Sequence, residues 1–455
     1  MRAADRLRRG WMAGGLLAGL SAPVAAAPPP DPLSHIDTIV VVYLENHSFD
    51  NLYGRFPGAD GIDQASTESR LQLDRAGKPY AVLPRVLDTR QKPAVIDPRF
   101  PERLPNGPFE ISRFVPARER IADPLHRFFQ HQRQINGGRM NRFVAESNTG
   151  GLTMGYYDGR QLPLWEYARR YTLMDHFFAA TFGGSFLNHM WLACACTPRH
   201  PHPPASSTIE LDADGQVIKD GAFTADGYAV NNVFSAFGPR NPPAYDPARV
   251  LPPQTQPTLG DRLSERQIDW AWYAGGWSDA VAGQADGSFQ FHHQPYTYFS
   301  RYADGTPARK AHLKDEADFM EAIRRGRLPA VSFFKPLGVY NEHPGDAVLM
   351  AGEARTARLL AALEKSPQWP QMLVIVTYDE YGGFWDHVAP PRVDRWGPGS
   401  RVPALLISPF SRGGRIEHGT YDTTSILKLI ETRFGLAPLS DRDAKARNLA
   451  DVLRF

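Results

Sequence analysis

The sequence predicts an α/β fold, a mainly parallel central sheet sandwiched by helices. Two observations predict it. Residues 36–44, 330–334, 372–378 and 402–408 form nearly unbroken apolar runs rather than alternating ones. Strands buried on both faces read that way. Helical patterns lie between them: residues 315–325 carry Phe319, Met320 and Ile323 on one face, residues 353–364 carry Leu359, Leu360 and Leu363, and residues 423–434 carry Ile426, Leu429 and Ile430.

The chain opens with Arg2, Arg6, Arg8 and Arg9, then a short Gly- and Ala-rich apolar stretch from Trp11 to Leu20. Ala25 and Ala27 give a small-x-small cleavage site before three prolines. That pattern predicts a signal peptide over residues 1–27 and an exported product, periplasmic or secreted. The stretch falls short of the roughly 20 apolar residues a bilayer span requires, so no stable membrane anchor is expected. The whole chain has 51 basic and 49 acidic residues, a net charge of +2. Four of the arginines and one aspartate lie in the first 27 residues, so the remainder is close to neutral. A basic surface for nucleic acid is therefore not expected.

Residues 28–455 are read as one large domain, because the candidate site residues come from both ends of the chain. Residues 198–257 are proline-rich and are read as an insertion. Within it an alternating piece, an Asp214-Gly215 turn and a second short run predict a hairpin. Cys194 and Cys196 are the only cysteines. They sit in an apolar run and read as two small buried side chains in preference to a tight disulfide.

The chemistry-bearing residues gather at strand ends. The first strand runs into Glu45-Asn46 and the third into Asp379-Glu380. Ligands in open α/β sheets bind beyond the carboxyl ends of strands. Three carboxylates and an amide brought together there repel one another unless a cation holds them, and oxygen donors suit a hard or borderline divalent metal. Ser185 follows Gly183-Gly184 and opens an apolar helical stretch, where glycine permits close approach and a helix N-terminus favours phosphate. The plain alternative for Ser185 is a helix N-cap. Leu187 stands where the G-x-S-x-G elbow requires glycine, which weighs against an α/β-hydrolase. Further candidates are His126, the adjacent pair His292-His293, and His343; His189 and His387 read equally well as structural.

Together these segments resemble the bacterial acid phosphatase and phospholipase C phosphoesterase family. The matching pieces are Glu45-Asn46-His47-Ser48-Phe49-Asp50, Asp123-Pro124-Leu125-His126, Asn136-Gly137-Gly138-Arg139-Met140, Met154-Gly155-Tyr156-Tyr157 and Gly183 to His189. Further on come Asp379 to His387 and Gly397 to Pro403, leading to Ile407-Ser408-Pro409-Phe410. The resemblance implies an alkaline-phosphatase-like fold and a nucleophile at Ser185. It also implies metal contacts from Glu45, Asn46, Asp379 and Glu380, and a phosphate pocket lined by His126, His292, His293 and His343. Phospholipase-like members usually read Thr-x-Pro-Asn-Arg at the nucleophile, whereas this chain reads Ser185-Phe186-Leu187-Asn188-His189, nearer the acid phosphatase branch. The larger phospholipase members carry further C-terminal domains, and this chain stops at Phe455. The resemblance thus implies a serine phosphoesterase with a divalent metal of unspecified identity, acting on small phosphate monoesters, with an acidic optimum if protonated histidines are required. A phospholipase C-type phosphodiesterase acting on phospholipid headgroups is the alternative, and a secreted binding protein that has lost catalysis is a third reading.

Overall fold

The structure is a computed structural model describing residues 32–239 and 246–455. The signal segment expected over residues 1–27 lies outside the described residues. The central sheet is built from β1 (Thr38–Leu44), β2 (Thr172–Met174), β3 (Trp270–Ala274), β4 (Leu313–Asp315), β5 (Val331–Lys335), β6 (Met372–Tyr378), β7 (Ala404–Ile407) and β8 (Arg415–Glu417), in the order β4-β3-β5-β1-β6-β7-β2-β8. Every pairing is parallel except those of β7, which runs antiparallel to both β6 and β2. The principal helices are α1 (Phe128–Ile135), α2 (Pro163–Arg170), α3 (Ser185–Cys194), α4 (Glu316–Arg325), α5 (Leu349–Glu364) and α6 (Thr423–Phe434). No helix among the described residues is long and apolar enough to cross a membrane.

The four apolar runs are all strands, and β1, β5, β6 and β7 are buried along their whole length. The three helical patterns are α4, α5 and α6. Asp315 accepts a hydrogen bond from Ala317 N at 3.0 Å to start α4, and Gly326, with φ +59°, ends it. Asp422 and Gly435 bracket α6 in the same way. The hairpin in the proline-rich segment forms between Glu210–Leu211 and Val217–Lys219.

Two features differ from the sequence reading. The strands β2, β3, β4 and β8 were not anticipated. Three of them are three residues long, too short to show a period, and β3 packs as Trp-Ala-Trp-Tyr-Ala. The cysteines form a disulfide, Cys194–Cys196, with Cα atoms 5.1 Å apart. Ala195 ends α3 in the left-handed conformation (φ +45°), which turns the chain back and brings the second sulfur to the first. Sequence periodicity carries no sign of that turn.

The loops beyond the strand ends are tied to one buried cation. Arg401 precedes β7 and is wholly buried. Its Nε donates to Asp386 Oδ1 at 2.8 Å and its Nη2 to Asp50 Oδ1 at 3.2 Å. Its Nη1 donates to the carbonyls of Asp60 and Asp175, each at 2.8 Å. The reversed direction of β7 places this residue, at the start of a strand, beside loops that leave β1, β2 and β6. His387 joins the same network, with Nδ1 2.7 Å from Asp50 Oδ2 and Nε2 3.1 Å from Asp60 Oδ1. Its Nδ1 also faces Arg401 Nη2 at 3.2 Å, so both ring nitrogens are engaged within the network. Removing one partner of a buried charge network typically costs about 3–5 kcal/mol. Arg401→Met is expected to lose a comparable amount in urea titration, whereas a loss below ~1 kcal/mol would show that the network contributes little.

Candidate active site

The register of β1 against β6 runs from Thr38 opposite Met372 to Leu44 opposite Tyr378. The residues just beyond the two strands therefore fall side by side, and Asp379 N donates to Leu44 O at 3.1 Å. Glu45, Asn46, Asp379 and Glu380 are all buried at that point. The neighbouring strand β5 ends in Lys335, whose Nζ lies 2.9 Å from Glu45 Oε1 and 3.8 Å from Asp379 Oδ2. Lys335 was not anticipated, although its place at the end of an apolar strand is the same signal that marked the carboxylates. Asn341 donates from Nδ2 to Glu45 Oε2 at 2.8 Å, and its carbonyl accepts from Glu45 N at 2.8 Å.

Asn46 takes the left-handed conformation (φ +69°), which asparagine tolerates better than most residues. Ser185 Oγ donates to its Oδ1 at 3.2 Å, while its Nδ2 faces His126 Nε2 at 3.3 Å. His126 Nδ1 is 2.7 Å from Pro124 O, so that nitrogen carries the hydrogen and Nε2 is left to accept. Gly382, with φ +64°, packs so closely on Asn46 that a Cβ there would meet Asn46 O at 2.0 Å.

Ser185 is the first residue of α3; the N-cap is Gly184, and no side chain caps this helix. The hydroxyl is therefore not held as a cap. Asn188 fixes the turn before it, accepting from Thr181 N at 2.9 Å and donating to Gly184 O at 3.2 Å. One turn on, His189 Nδ1 donates to Ser185 O at 2.7 Å, which leaves Nε2 open. His189 was undecided in the sequence; here it is buried, lies 3.6 Å from Asp379 Oδ2, and stacks on His293 with ring centroids 5.4 Å apart. His293 Nε2 makes an ion contact with Glu45 Oε1, and Trp272 Nε1 holds its carbonyl at 2.7 Å.

Ser185, His126, His292 and His343 line one cavity of about 410 Å³, together with Glu45, Asp123 and Asn341. His293 lies just behind His292.

Charge in the site is sharply divided. Burial opposes ionisation of Glu45, but His293 and Lys335 outweigh it and hold its carboxyl well below the usual range. Burial pushes Asp379 up to about 7, against the pull of Lys335, and Ser185 lies within hydrogen-bonding reach of its carboxyl. Burial and the adjacent Asp379 push Glu380 well up. Burial also lowers His126, His189, His292 and His293, so these rings favour the neutral form. His343 is the exception: burial would lower it, but Asp123, Glu45 and Asp346 together raise it to about 9. Positive histidine charge in the site is thus concentrated on His343, which holds its proton well above the ordinary imidazole range, so the acidic optimum expected from protonated histidines does not follow from these rings.

The donor set fits a divalent cation. Ion contacts aside, Glu45 Oε1, Asp379 Oδ2, Glu380 Oε1, His189 Nε2, His292 Nδ1 and His293 Nε2 are buried without a hydrogen-bond partner. Ligand atoms of Glu45, His189 and Asp379 lie within 4.8 Å of one another, as do those of Glu45, His292 and His293. Asn46 stands differently, because both its side-chain polar atoms are engaged by Ser185 and His126.

Fold and site together define a class. Residues 36–437 match the model of the phosphoesterase family, and the chain belongs to that family. Among curated relatives, phospholipase C B of Mycobacterium tuberculosis is 26% identical, over 94% of this chain and 80% of its own length. Non-hemolytic phospholipase C of Pseudomonas aeruginosa is 24% identical, over 89% of this chain and 54% of its own. A solved structure of a protein in the alkaline phosphatase superfamily from Vibrio parahaemolyticus aligns over 74% of each chain, with 12% identity and a TM-score of 0.34.

Removing even a supporting partner of a metal ligand typically lowers metal affinity about 10–100-fold. Glu45→Gln and Asp379→Asn are each expected to keep the fold by circular dichroism and to lose bound divalent metal by at least that factor in elemental analysis. Undiminished metal content in both would show that no cation is shared between the two strand ends.

Proposed function

We propose that this chain is an exported phosphoesterase of the phospholipase C type, which cleaves a phosphodiester by attack of Ser185. The observation that carries the chemistry is the uncapped Ser185 hydroxyl in a cavity whose walls are buried carboxylates and histidines. Its substrate class follows the relatives, which are phospholipases C along nearly the whole chain. Export rests on the pattern of residues 1–27.

In this reading Asn46 Oδ1 orients the Ser185 hydroxyl. Ser185 Oγ forms a bond to phosphorus and passes its proton to Asp379. The phosphorus–oxygen bond to the leaving alcohol breaks, and His343, held protonated by Asp123 and Asp346, supplies the leaving oxygen with a proton. Water then attacks phosphorus and gives a proton to the now neutral His343, and the bond from phosphorus to Ser185 Oγ breaks as Asp379 returns the proton to Oγ. Lys335 neutralises part of the carboxylate charge so that an anionic phosphate can enter. A divalent ion held by Glu45, Asp379 and Glu380, with His189 and the His292-His293 pair at hand, would polarise the phosphoryl group and ease deprotonation of the serine.

A second reading, an acid phosphatase acting on monoesters, is favoured by the Ser185-Phe186-Leu187-Asn188-His189 segment and by a cavity in which, among the described residues, no Phe, Tyr or Trp is placed to receive a quaternary ammonium headgroup. Turnover of short-chain phosphatidylcholine against p-nitrophenyl phosphate separates the two. Faster cleavage of the lipid is expected, and a preference for the monoester by a factor of ten or more would install the second reading.

Because Ser185 caps nothing, Ser185→Ala is expected to keep its stability within ~0.5 kcal/mol. Its kcat is expected to fall about a thousandfold, ~4 kcal/mol of transition-state stabilisation. Near-normal turnover would remove Ser185 from the chemistry. The raised proton affinity of His343 sets the pH dependence. Its charged form is present below about 9 and is lost as pH rises through that value, so wild-type kcat/KM should fall there. His343→Gln should lower kcat and erase that alkaline limb; an unchanged limb in the variant would assign it to another group.

A further inference from the structure

The cavity that holds Ser185 has a second cationic region that the proposed chemistry does not use. Arg127 and Arg249 both line it, with Asn231 and Asn232 beside them. Arg127 follows His126 directly and forms the N-cap of α1. Arg249 comes from the proline-rich segment, far along the chain.

Several contacts fix this wall against the site. Asn231 Oδ1 accepts from Phe128 N at 3.3 Å, which docks the segment onto the start of α1. Phe234–Ser235 pairs in parallel with Val250–Leu251, so Arg249 enters beside Asn232, and Asn232 O accepts from its Nη2. The Arg249 guanidinium lies 5.9 Å from the centre of the Phe234 ring. Phe234 packs on Phe291 at 4.5 Å between centroids, and Phe291 on His292 at 5.4 Å. Arg249 is thus braced, through two rings, against a histidine of the site.

The charge on this wall is only partly answered. Arg127 pairs with Asp220 at 2.9 Å, a contact more than one-third exposed on both sides. Among the described residues Arg249 forms no ion pair with a carboxylate. Burial and then Arg127 lower its proton affinity, and the weaker pull of Asp246 and Asp220 does not offset them. Two like charges held together in a half-buried wall are costly unless an anion joins them. The two carboxylates of the cavity that lie near His343, Asp123 and Asp346, are engaged there. Guanidinium forks match the planar or tetrahedral oxygens of carboxylate and phosphate.

We propose that Arg127 and Arg249 form a second anion subsite, so that the preferred substrate is a phosphate ester in which a group esterified to the reacting phosphorus carries a further carboxylate or phosphate. This rests on the phosphoester reading of the Ser185 cavity. The same chemistry is offered by a phosphorylated lipid headgroup and by a soluble sugar-acid phosphate, and the test has an arm for each. In the lipid arm, dihexanoyl phosphatidylinositol 4-phosphate is compared with dihexanoyl phosphatidylinositol. In the soluble arm, 3-phosphoglycerate is compared with glycerol 3-phosphate.

The full chain is expected to favour the more charged member of at least one pair by tenfold or more in kcat/KM, expressed in KM. Arg249→Gln and Arg127→Gln should each reduce that preference at least fivefold, and Arg249→Lys should restore part of it, which a merely structural loss would not do. Preference in the lipid arm assigns a headgroup; preference in the soluble arm assigns a small metabolite. No preference in either arm, or a preference untouched by both Gln variants, overturns the subsite while leaving the phosphoesterase standing. Absence of turnover on every ester overturns the phosphoesterase reading instead. Calorimetric binding of 3-phosphoglycerate against glycerol 3-phosphate, in wild type and Arg249→Gln, then decides the subsite alone.

Discussion

Carboxylates at the ends of two adjacent buried strands must be supplied with positive charge, and much of this structure is arranged to supply it. Parallel pairing of β1 with β6 in full register leaves no alternative placement for Glu45 and Asp379. The parallel neighbour β5 then delivers Lys335 to the same point, and the 292–293 turn delivers a histidine to Glu45. Without that lysine and the imidazole beside it the ends of the strands would hold only mutually repelling groups in a poorly solvated interior. The same demand recurs one layer away, where Arg401 and His387 answer Asp50, Asp60 and Asp386. One cluster is closed, its arginine donors each engaged. The other retains open lone pairs on both carboxylates and imidazoles, and this difference separates a structural knot from a site able to bind something.

The hydrogen-bond order Ser185–Asn46–His126 shows how local conformation serves that site. A left-handed residue between a strand and a helix turns its side chain away from the strand direction, and the glycine at 382 lets the β6 loop pack over it. Glycine at 184 keeps the helix start free of a side-chain cap, so the serine hydroxyl is available for other partners. These are features in which local preference and site geometry agree, which is how a sequence comes to specify one arrangement.

Much of this was legible in the chain itself. The long apolar strands and the helices with three-residue apolar faces could be read because each is long enough to display a period, and the acidic pairs could be read because they sit where such strands end. Ser185 stood out through its glycines. The short strands β2, β4 and β8 could not be read, since three residues define no pattern, and β3 is disguised by its tryptophans. Lys335 and Asn341 were missed because each is a single polar residue whose meaning depends on which strand lies next door, a fact of topology. His189 could not be assigned because its neighbours in sequence are apolar and its partners in space come from residue 379 and residue 293. The separate fates of His343 and the other histidines depend on Asp123 and Asp346 converging from different loops, and no spacing rule anticipates that.

The link between Cys194 and Cys196 closes a loop of minimal length, and the entropy a crosslink removes from the unfolded chain shrinks with the loop it closes. This bond therefore acts on a single turn rather than on the domain. Production in a reducing cytosol should still give a properly packed protein, with only the rim of α3 loosened. For anyone preparing the enzyme, compartment and oxidant become matters of convenience.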